Sequence, residues 1–329
     1  MLIPNDTLPA HRIRLNAIVD ALSVIDHVFL NSPQYECELL SEAVGCNLTI
    51  KVETANPIRS FKGRGGGYLV ARRHRSGAFA GRRVIGASAG NWGQALAYAC
   101  RAIGQPITMF ASVNANPLKI EMMRKLGAEM VLQGEDFDAA KLAARAYARE
   151  IGGVQLEDGF DVEASEGAGT IAVELMRVFS PPDVVLVPLG NGAMLTGMAR
   201  WIKAVRPETQ VIGVQSSGAD AMEKSWRSKR IVNAASVNTI ADGIGVRTPV
   251  PEALADMEGL VDDVVLVDDK TIMAAMKMFY QKAGLLVEPS GAAGLAAVIE
   301  NTSRFRALRV ATVVCGGNLT EPQIKQYLL

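Results

Sequence analysis

The chain has 329 residues, of which 49% are hydrophobic, 21% are charged and 5% are aromatic, and its 34 basic residues balance 34 acidic ones. The balanced charge and the few aromatic residues exclude the basic footprint of a nucleic-acid-binding protein. No stretch approaches the ~18 consecutive apolar residues of a membrane span, so we expect neither nucleic acid nor membrane as a partner. A chain of this length can bury a large core and is expected to form two domains.

The cysteines and the N-terminal segment indicate a compartment. Residues 1–14 lack the apolar core of a secretory signal. The four cysteines are scattered and show no CxxC spacing, which indicates a reducing environment in place of a disulfide framework or a zinc site. We therefore expect a cytoplasmic protein.

The first strong signal along the chain is an apolar run at 48–52, followed by a turn at 56–67 that places Lys62 among small residues. Helix-favouring residues follow, so Lys62 should lie at or just inside a helix start, with Ser60 as a candidate cap. Helix N-termini favour anions, including phosphates. Taken alone, the segment fits a solvated lysine beside a flexible turn as well as a working amine.

Three later segments share one design, in which the apolar run of a buried parallel strand leads into a glycine-containing turn. The pairs of run and turn are 84–87 with 88–91, 184–187 with 188–193, and 310–314 with 315–318. Helices are predicted over 92–102 and 194–205. Turns at the carboxyl ends of parallel strands form the ligand crevice of an open sheet, so these turns should meet at one ligand. None has the spacing of a dinucleotide or nucleotide phosphate loop.

Strand and helix signals also alternate between these segments. Strands are predicted at 106–111 and 129–132, and helices at 116–126 and 136–151. Such alternation predicts parallel sheets joined by helical crossovers, which is an α/β fold.

Several of these segments, in this order, resemble the serine/threonine dehydratase family of fold-type II pyridoxal-phosphate enzymes. The matching segments are 60–65, 88–91, the turn from 190, 288–292 and 315–318, together with 167–170 and 239–243. The resemblance implies two open parallel-sheet domains of the tryptophan synthase β-like architecture. A large cofactor-binding domain would cover 1–80 and 161–329, and a small substrate-binding domain, placed by strand spacing, would cover 81–160. It also implies pyridoxal 5'-phosphate in the cleft and a homodimer.

The resemblance implies roles for the cofactor-binding residues. Lys62 matches the lysine that binds the cofactor as a Schiff base and then takes the Cα proton, and Phe61 should pack against the ring. Cys315 matches the residue that meets the pyridine nitrogen, where a neutral thiol favours β-elimination over transamination. Asn91 would lie near the ring hydroxyl and Glu288 near the cofactor. The alternatives are a small buried cysteine at 315 and a helix-start carboxylate at 288.

The predicted phosphate site is the turn before the helix at 194–205. Its residues are Gly190, Asn191, Gly192, Ala193 and Met194, whose backbone N–H groups would bind the phosphate. Relatives often carry a run of glycines there, which Asn191 and Ala193 interrupt, and alanine tolerates a left-handed backbone poorly. The alternative is an ordinary strand-to-helix turn.

The segment 88–92 matches the loop that binds the substrate carboxylate, so Ser88, Ala89, Gly90, Asn91 and Trp92 are the candidate substrate-binding residues. Ser88 is also a candidate cap for the following helix. Ala89 stands where serine racemases carry a second serine, and because alanine cannot transfer a proton, racemase activity is disfavoured. Trp92 stands where relatives commonly have histidine, and it either reshapes the pocket or packs in the core.

No metal is predicted. Metal-binding relatives carry carboxylates at the positions of Gln215 and Ala221, and the loss of two oxygen ligands should abolish such a site. Asp220 alone is expected to be a surface or capping carboxylate.

These expectations favour a pyridoxal-phosphate-dependent ammonia-lyase. It would eliminate the β-hydroxyl of a small amino acid, such as threonine or serine, to give a 2-oxo acid and ammonia. One alternative is a synthase of the same fold that performs β- or γ-replacement, as threonine synthases do. An alternative of another class is a catalytically silent protein that binds the cofactor.

Overall fold

The computed structural model describes residue 4, residues 10–177 and residues 180–329. Its strands are β1 Gln34–Glu36, β2 Asn47–Val52, β3 Val84–Ala87, β4 Ile107–Ala111, β5 Glu129–Leu132, β6 Val154–Gln155, β7 Val184–Pro188, β8 Gln210–Ser216, β9 Asp263–Val267 and β10 Arg309–Val314. Its α-helices are α1 Leu15–Val24, α2 Glu38–Val44, α3 Lys62–Arg75, α4 Asn91–Ala102, α5 Pro117–Lys125, α6 Phe137–Glu150, α7 Val162–Leu175, α8 Ala193–Val205, α9 Ala221–Ser228, α10 Pro251–Ala255, α11 Asp269–Met278, α12 Pro289–Glu300, α13 Thr302–Phe305 and α14 Glu321–Tyr327.

The strands form two sheets. The larger has the order β1-β2-β10-β7-β8-β9 and the smaller has the order β5-β4-β3-β6. Neighbouring strands are parallel except β1, which runs antiparallel to β2. The predicted α/β fold with two parallel sheets is thus confirmed. The antiparallel edge strand was not predicted, because its three residues are largely exposed and carry no apolar pattern.

The smaller sheet lies within the segment predicted as the small domain. Its strands begin at Val84 and end at Gln155, whereas the strands of the larger sheet precede or follow them in the chain. The boundaries 81–160 remain a prediction.

Two helices begin one residue later than predicted, because a side chain caps each of them. The helix predicted over 116–126 begins at Pro117, because the Asn116 side chain accepts a hydrogen bond from the N–H of Leu118 and so caps it. The helix predicted over 136–151 begins at Phe137, because Asp136 caps it in the same way through Ala139.

Apolar side chains cover both faces of the larger sheet. Strand β7 is buried at every position, as expected for a parallel strand between two helical layers. Leu186 and Val310 pack with α12 on one face, whereas Val185 and Ala311 pack with α7 and α8 on the other. Each of these strands therefore contributes alternate side chains to two separate cores.

Helices α3, α7 and α8 approach each other so closely that backbone meets backbone. A Cβ built on Gly197 of α8 would lie 1.9 Å from the carbonyl oxygen of Ser165 in α7. A Cβ built on Gly65 of α3 would lie 2.6 Å from the carbonyl oxygen of Ala164 in α7. Only glycine permits such contacts, so these positions fix the spacing of three helices, two of which begin at the site described below.

The four cysteines are buried free thiols. Across residues 10–177 and 180–329, no helix combines the length and the hydropathy needed to cross a bilayer.

Candidate active site

A cavity of about 610 Å³ lies at the carboxyl ends of β3, β7 and β10. Every residue predicted to bind cofactor or substrate lines it, although the strands that carry them are far apart in the chain. These residues are Phe61, Lys62, Ser88, Ala89, Gly90, Asn91, Trp92, Gly190, Asn191, Gly192, Ala193, Met194, Glu288 and Cys315. The structure brings the candidates together, and the role of each remains a prediction.

Lys62 is the first residue of α3, as predicted. Its backbone N–H donates to the Ser60 hydroxyl at 3.3 Å, although Phe61 is the residue that precedes the helix. The Lys62 amine lies 4.9 Å from the centre of the Phe61 ring and 5.6 Å from that of the Trp92 ring. Its ionic partner is Asp158, with Nζ 2.7 Å from Oδ2. The amine is therefore held in the cavity between aromatic faces and one carboxylate.

A buried ionic network supports the start of α3. Arg64 is fully buried and donates to Glu53 and Glu174, each at 2.7 Å. Lys51 donates to the second oxygen of Glu174 at 2.6 Å. Burial alone would raise the pKa of Glu174, but the hydrogen bonds from Arg64 and Lys51 lower that pKa to about 2. This network fixes the helix turn that carries Lys62.

The turn before α8 is left-handed at Gly192 alone. Gly192 has φ of 90° and precedes the helix, whereas Ala193 is its first helical residue. Asn191 and Ala193 therefore carry no backbone strain, and the interrupted glycine run does not prevent this conformation. A Cβ on Gly190 would lie 2.8 Å from the carbonyl oxygen of Gly243, so that glycine is needed for close packing. The first N–H groups of a helix have no partner within it and suit an anion.

Cys315 and Glu288 form a buried polar corner of the cavity. Burial, followed by the nearby charge of Glu288, raises the pKa of the Cys315 thiol and keeps it neutral. Burial, followed by the charge of Asp242, raises the pKa of Glu288 to about 7. Glu288 also precedes α12 without capping it through its side chain. Glu288 therefore lies both at the start of a helix and on the wall of the cavity.

Asn91 is held in a fixed orientation. Its amide nitrogen donates to Glu288 at 2.8 Å, and its amide oxygen accepts from the side chain of Asn318 at 2.8 Å. The backbone N–H of Asn318 in turn donates to Glu288 at 3.0 Å. Asn318 closes this triangle and was not among the predicted site residues, although it ends the predicted turn at 315–318.

The segment 88–92 forms the loop at the end of β3. The Ser88 hydroxyl accepts from the N–H of Gly90 at 3.1 Å, and no side chain caps α4. Ser88 thus stabilises the turn, and the prediction that it caps the helix is wrong. Trp92 packs in the core of the smaller sheet and also lines the cavity, and its effect on the shape of a substrate pocket remains a prediction. Its indole N–H is buried without a hydrogen-bond partner among the described residues.

The positions compared with metal ligands have other contacts. The Gln215 side chain accepts from the N–H of Glu223 at 3.0 Å. Asp220 forms an ion pair with Lys224 at 2.8 Å. In the ranges that the structure describes, no group of three or more His, Cys, Asp or Glu side chains could hold a metal ion.

Two ion pairs between residues that line the cavity could not be predicted from the sequence. Lys119 of α5 pairs with Asp242, and Arg247 donates to Asp138 of α6 at 2.8 Å. The partners are more than 100 residues apart, so no local spacing could indicate them. Asp158 lies 96 residues from Lys62, and local spacing could not indicate this pair either. The pairs of Lys119 and Arg247 connect helices α5 and α6 to the segment 242–247, which lies in the chain between β8 and β9.

Comparisons with known proteins agree with the geometry. A family model described as "Pyridoxal-phosphate dependent enzyme" matches residues 25–316. An L-threonine ammonia-lyase from Thermotoga maritima is 34% identical over 307 residues, which is 93% of this chain and 76% of that protein. The processed form of threonine deaminase isoform 2 from Solanum lycopersicum superposes with a TM-score of 0.89 at 28% identity, covering 99% of this chain and 95% of that one. Maize serine racemase superposes equally well, with a TM-score of 0.89 at 26% identity, covering 96% and 97%.

Proposed function

The chain belongs to the family of pyridoxal-phosphate dependent enzymes and is a lyase of the dehydratase type, and we propose that it removes the β-hydroxyl of a small amino acid, threonine or serine first. The proposal rests on one observation. Lys62, the turn at 190–194 and Cys315 lie on the wall of one cavity, although they leave different elements. The cavity has a volume of about 610 Å³, which can hold pyridoxal phosphate together with a small amino acid.

The residues present suit the cofactor. Gly192 opens α8 with a left-handed turn, as an anion cradle requires. The hydroxyl of Ser290 on the cavity wall is buried without a hydrogen-bond partner among the described residues, so the wall offers an unsatisfied polar group to a ligand. We propose that the turn at 190–194 binds the phosphate, that Cys315 meets the ring nitrogen, and that Asn91 and Phe61 orient the ring.

Pyridoxal phosphate supplies an electron-accepting ring that makes the Cα proton of an amino acid removable at neutral pH. Lys62 takes that proton at Nζ from one face of the substrate. The turn at 88–92 binds the substrate carboxylate through its N–H groups and Ser88. Ala89 carries no group that can move a proton, which supports elimination over racemisation. The neutral thiol of Cys315 offers no charge to hold the ring nitrogen protonated, which supports prompt loss of the β-hydroxyl.

The proposal also covers the cellular compartment and the oligomeric state. Four buried free thiols support a reducing compartment, and we propose the cytoplasm. We also propose a homodimer, as the family resemblance implies. Light scattering of the purified protein measures the mass and tests the dimer directly.

The experiment compares the wild type with Lys62→Ala and with Lys125→Ala, an exposed lysine of α5 that serves as the matched control. Visible absorbance with added pyridoxal phosphate reports attachment to a lysine. Release of 2-oxo acid and ammonia is followed with serine, threonine, hydroxyaspartate and O-phosphohomoserine, with and without a thiol acceptor.

We expect attachment and 2-oxo acid release in the wild type and the control, and neither in Lys62→Ala. Product that appears only with an acceptor would identify a synthase. Attachment without any turnover would identify a silent binding protein. A wild type that does not attach the cofactor would refute the proposal.

A further inference from the structure

Asp158 occupies the point where the lysine and the proposed phosphate turn meet. Its Oδ2 lies 2.7 Å from Nζ of Lys62 and 3.3 Å from the side-chain nitrogen of Asn191. Its Oδ1 is buried and has no hydrogen-bond partner among the described residues. The two side chains of the pair are 16% and 14% exposed, so water screens the interaction only in part. Asp158 was not selected from the sequence.

Asp158 differs from the other carboxylates nearby in the cation that it contacts. Glu157, its neighbour in the chain, pairs with Lys141 at 2.9 Å and with Arg145 at 2.8 Å. Asp158 instead forms its ion pair with Lys62, at 2.7 Å. The amine that is proposed to bind the cofactor therefore also compensates the charge of this half-buried carboxylate.

We propose that Asp158 is a positioning residue, which receives the Lys62 amine whenever that amine is not bonded to the cofactor and holds it as an ammonium after it has taken the Cα proton. The inference rests on the proposed function. In the step concerned, the Cα–H bond breaks and an N–H bond forms at Nζ. The electron pair of that bond forms the new double bond between Cα and Cβ as the Cβ–O bond breaks, and the hydroxyl leaves with the Cβ–O pair and takes a proton from solvent to become water. The positive charge formed on Lys62 then lies against a negative charge.

The negative charge of Asp158 should favour proton transfer to Lys62 and disfavour binding of the cofactor's phosphate. A carboxylate beside a developing ammonium stabilises it, and proton transfer depends on that stabilisation. The same carboxylate contacts Asn191 in the turn proposed for the phosphate, and a negative charge there disfavours an anion. Removal of the charge should thus slow proton transfer and at the same time leave cofactor binding unchanged or make it tighter. A residue that merely supports the fold would weaken both.

The test uses Asp158→Asn, which keeps the shape and removes the charge. The matched control is Glu163→Gln, a carboxylate of the first turn of α7 that pairs with Arg73 and does not line the cavity. We expect kcat of Asp158→Asn to fall about 100-fold, the lower end of what positioned proton transfer contributes, with KM little changed and with cofactor affinity equal to or higher than that of the wild type. The isotope effect on a substrate deuterated at Cα should increase. The control should match the wild type in all four measurements.

A second variant separates charge from packing. In Asp158→Ala, added formate should restore part of the lost kcat, because it can occupy the vacated position and supply a carboxylate. The inference is overturned if kcat of Asp158→Asn stays within about threefold of the wild type, or if cofactor affinity and thermal stability fall together with kcat. If the wild type itself does not attach the cofactor to Lys62, the proposed function fails first and the inference fails with it.

Discussion

Because α7 and α8 are in close backbone contact, we predict that a side chain added between them lowers the stability of the protein. In Gly197→Ala, the added Cβ would lie 1.9 Å from the carbonyl oxygen of Ser165. An ordinary carbon-to-oxygen contact is about 3.3 Å, so the two helices would have to separate by about 1.4 Å. Because the opposing atom belongs to a helix backbone and not to a flexible side chain, neither helix can yield locally. Protein interiors are packed too densely to absorb such a shift without cost.

Overpacking of a core costs about 1–3 kcal/mol in the free energy of unfolding. We expect the upper end of that range here, with a midpoint of thermal unfolding lowered by about 5 °C or more. Since α8 begins at the turn proposed to bind the phosphate, a displaced helix should also weaken cofactor binding. Both quantities can be measured on the same sample.

Gly67→Ala is the matched control. Gly67 also lies inside a helix, α3, but a Cβ built there has no heavy atom within 4 Å. Alanine should stabilise this helix by about 0.5–1 kcal/mol, because glycine loses more backbone entropy on folding. The two substitutions should therefore shift the unfolding midpoint in opposite directions. If Gly197→Ala unfolds within about 1 °C of the wild type, or if both variants are destabilised alike, the argument from backbone contact is wrong.

Two further predictions concern buried carboxyl groups. Against the effect of burial, Arg64 and Lys51 lower the pKa of Glu174 to about 2, so the stability that this carboxylate contributes is present above its ordinary pKa of 4.5 and is lost as the pH falls through about 2. Glu174→Gln should lower the free energy of unfolding by about 3 kcal/mol at pH 7. In urea unfolding at a series of pH values, the variant should lose less stability at acid pH than the wild type does, and an unchanged pH dependence would contradict the prediction. Burial, followed by the charge of Asp242, raises the pKa of Glu288 to about 7, so the stability that this carboxyl group contributes is present below its ordinary pKa of 4.5 and is lost as the pH rises through about 7. Glu288→Gln should therefore unfold at a higher temperature than the wild type at pH 8 and at a similar temperature at pH 5. The reverse order would show that the folded protein favours the ionised carboxylate.

Much of the fold could be predicted from local patterns, because strands buried on both faces are continuous apolar runs. The run at 84–87 coincides with β3 and the run at 129–132 with β5. The turns that follow such runs also gave the residues that line the cavity, since parallel strands bring their carboxyl ends to one edge. Helix ends were displaced by one residue where a side chain caps the helix, as Asn116 does.

The remainder depends on contacts between distant parts of the chain. The partner of Lys62, Asp158, comes from another segment, and nothing in its own surroundings in the sequence distinguishes it from a surface acid. Strand β1 is short and exposed, so its pairing with β2 follows from tertiary structure and not from its own pattern. The role of Ser88 in the turn required the position of the Gly90 N–H, which residue types do not give.

The left-handed turn at Gly192 has a consequence for the redesign of this protein. Within the turn before α8, only this residue needs a conformation that other side chains avoid. A mutagenesis library should therefore keep Gly192 constant, and can vary Asn191 and Ala193 without straining the backbone. Since Asn191 contacts Asp158, its variants would alter the electrostatic surroundings of the lysine without any change to the lysine itself.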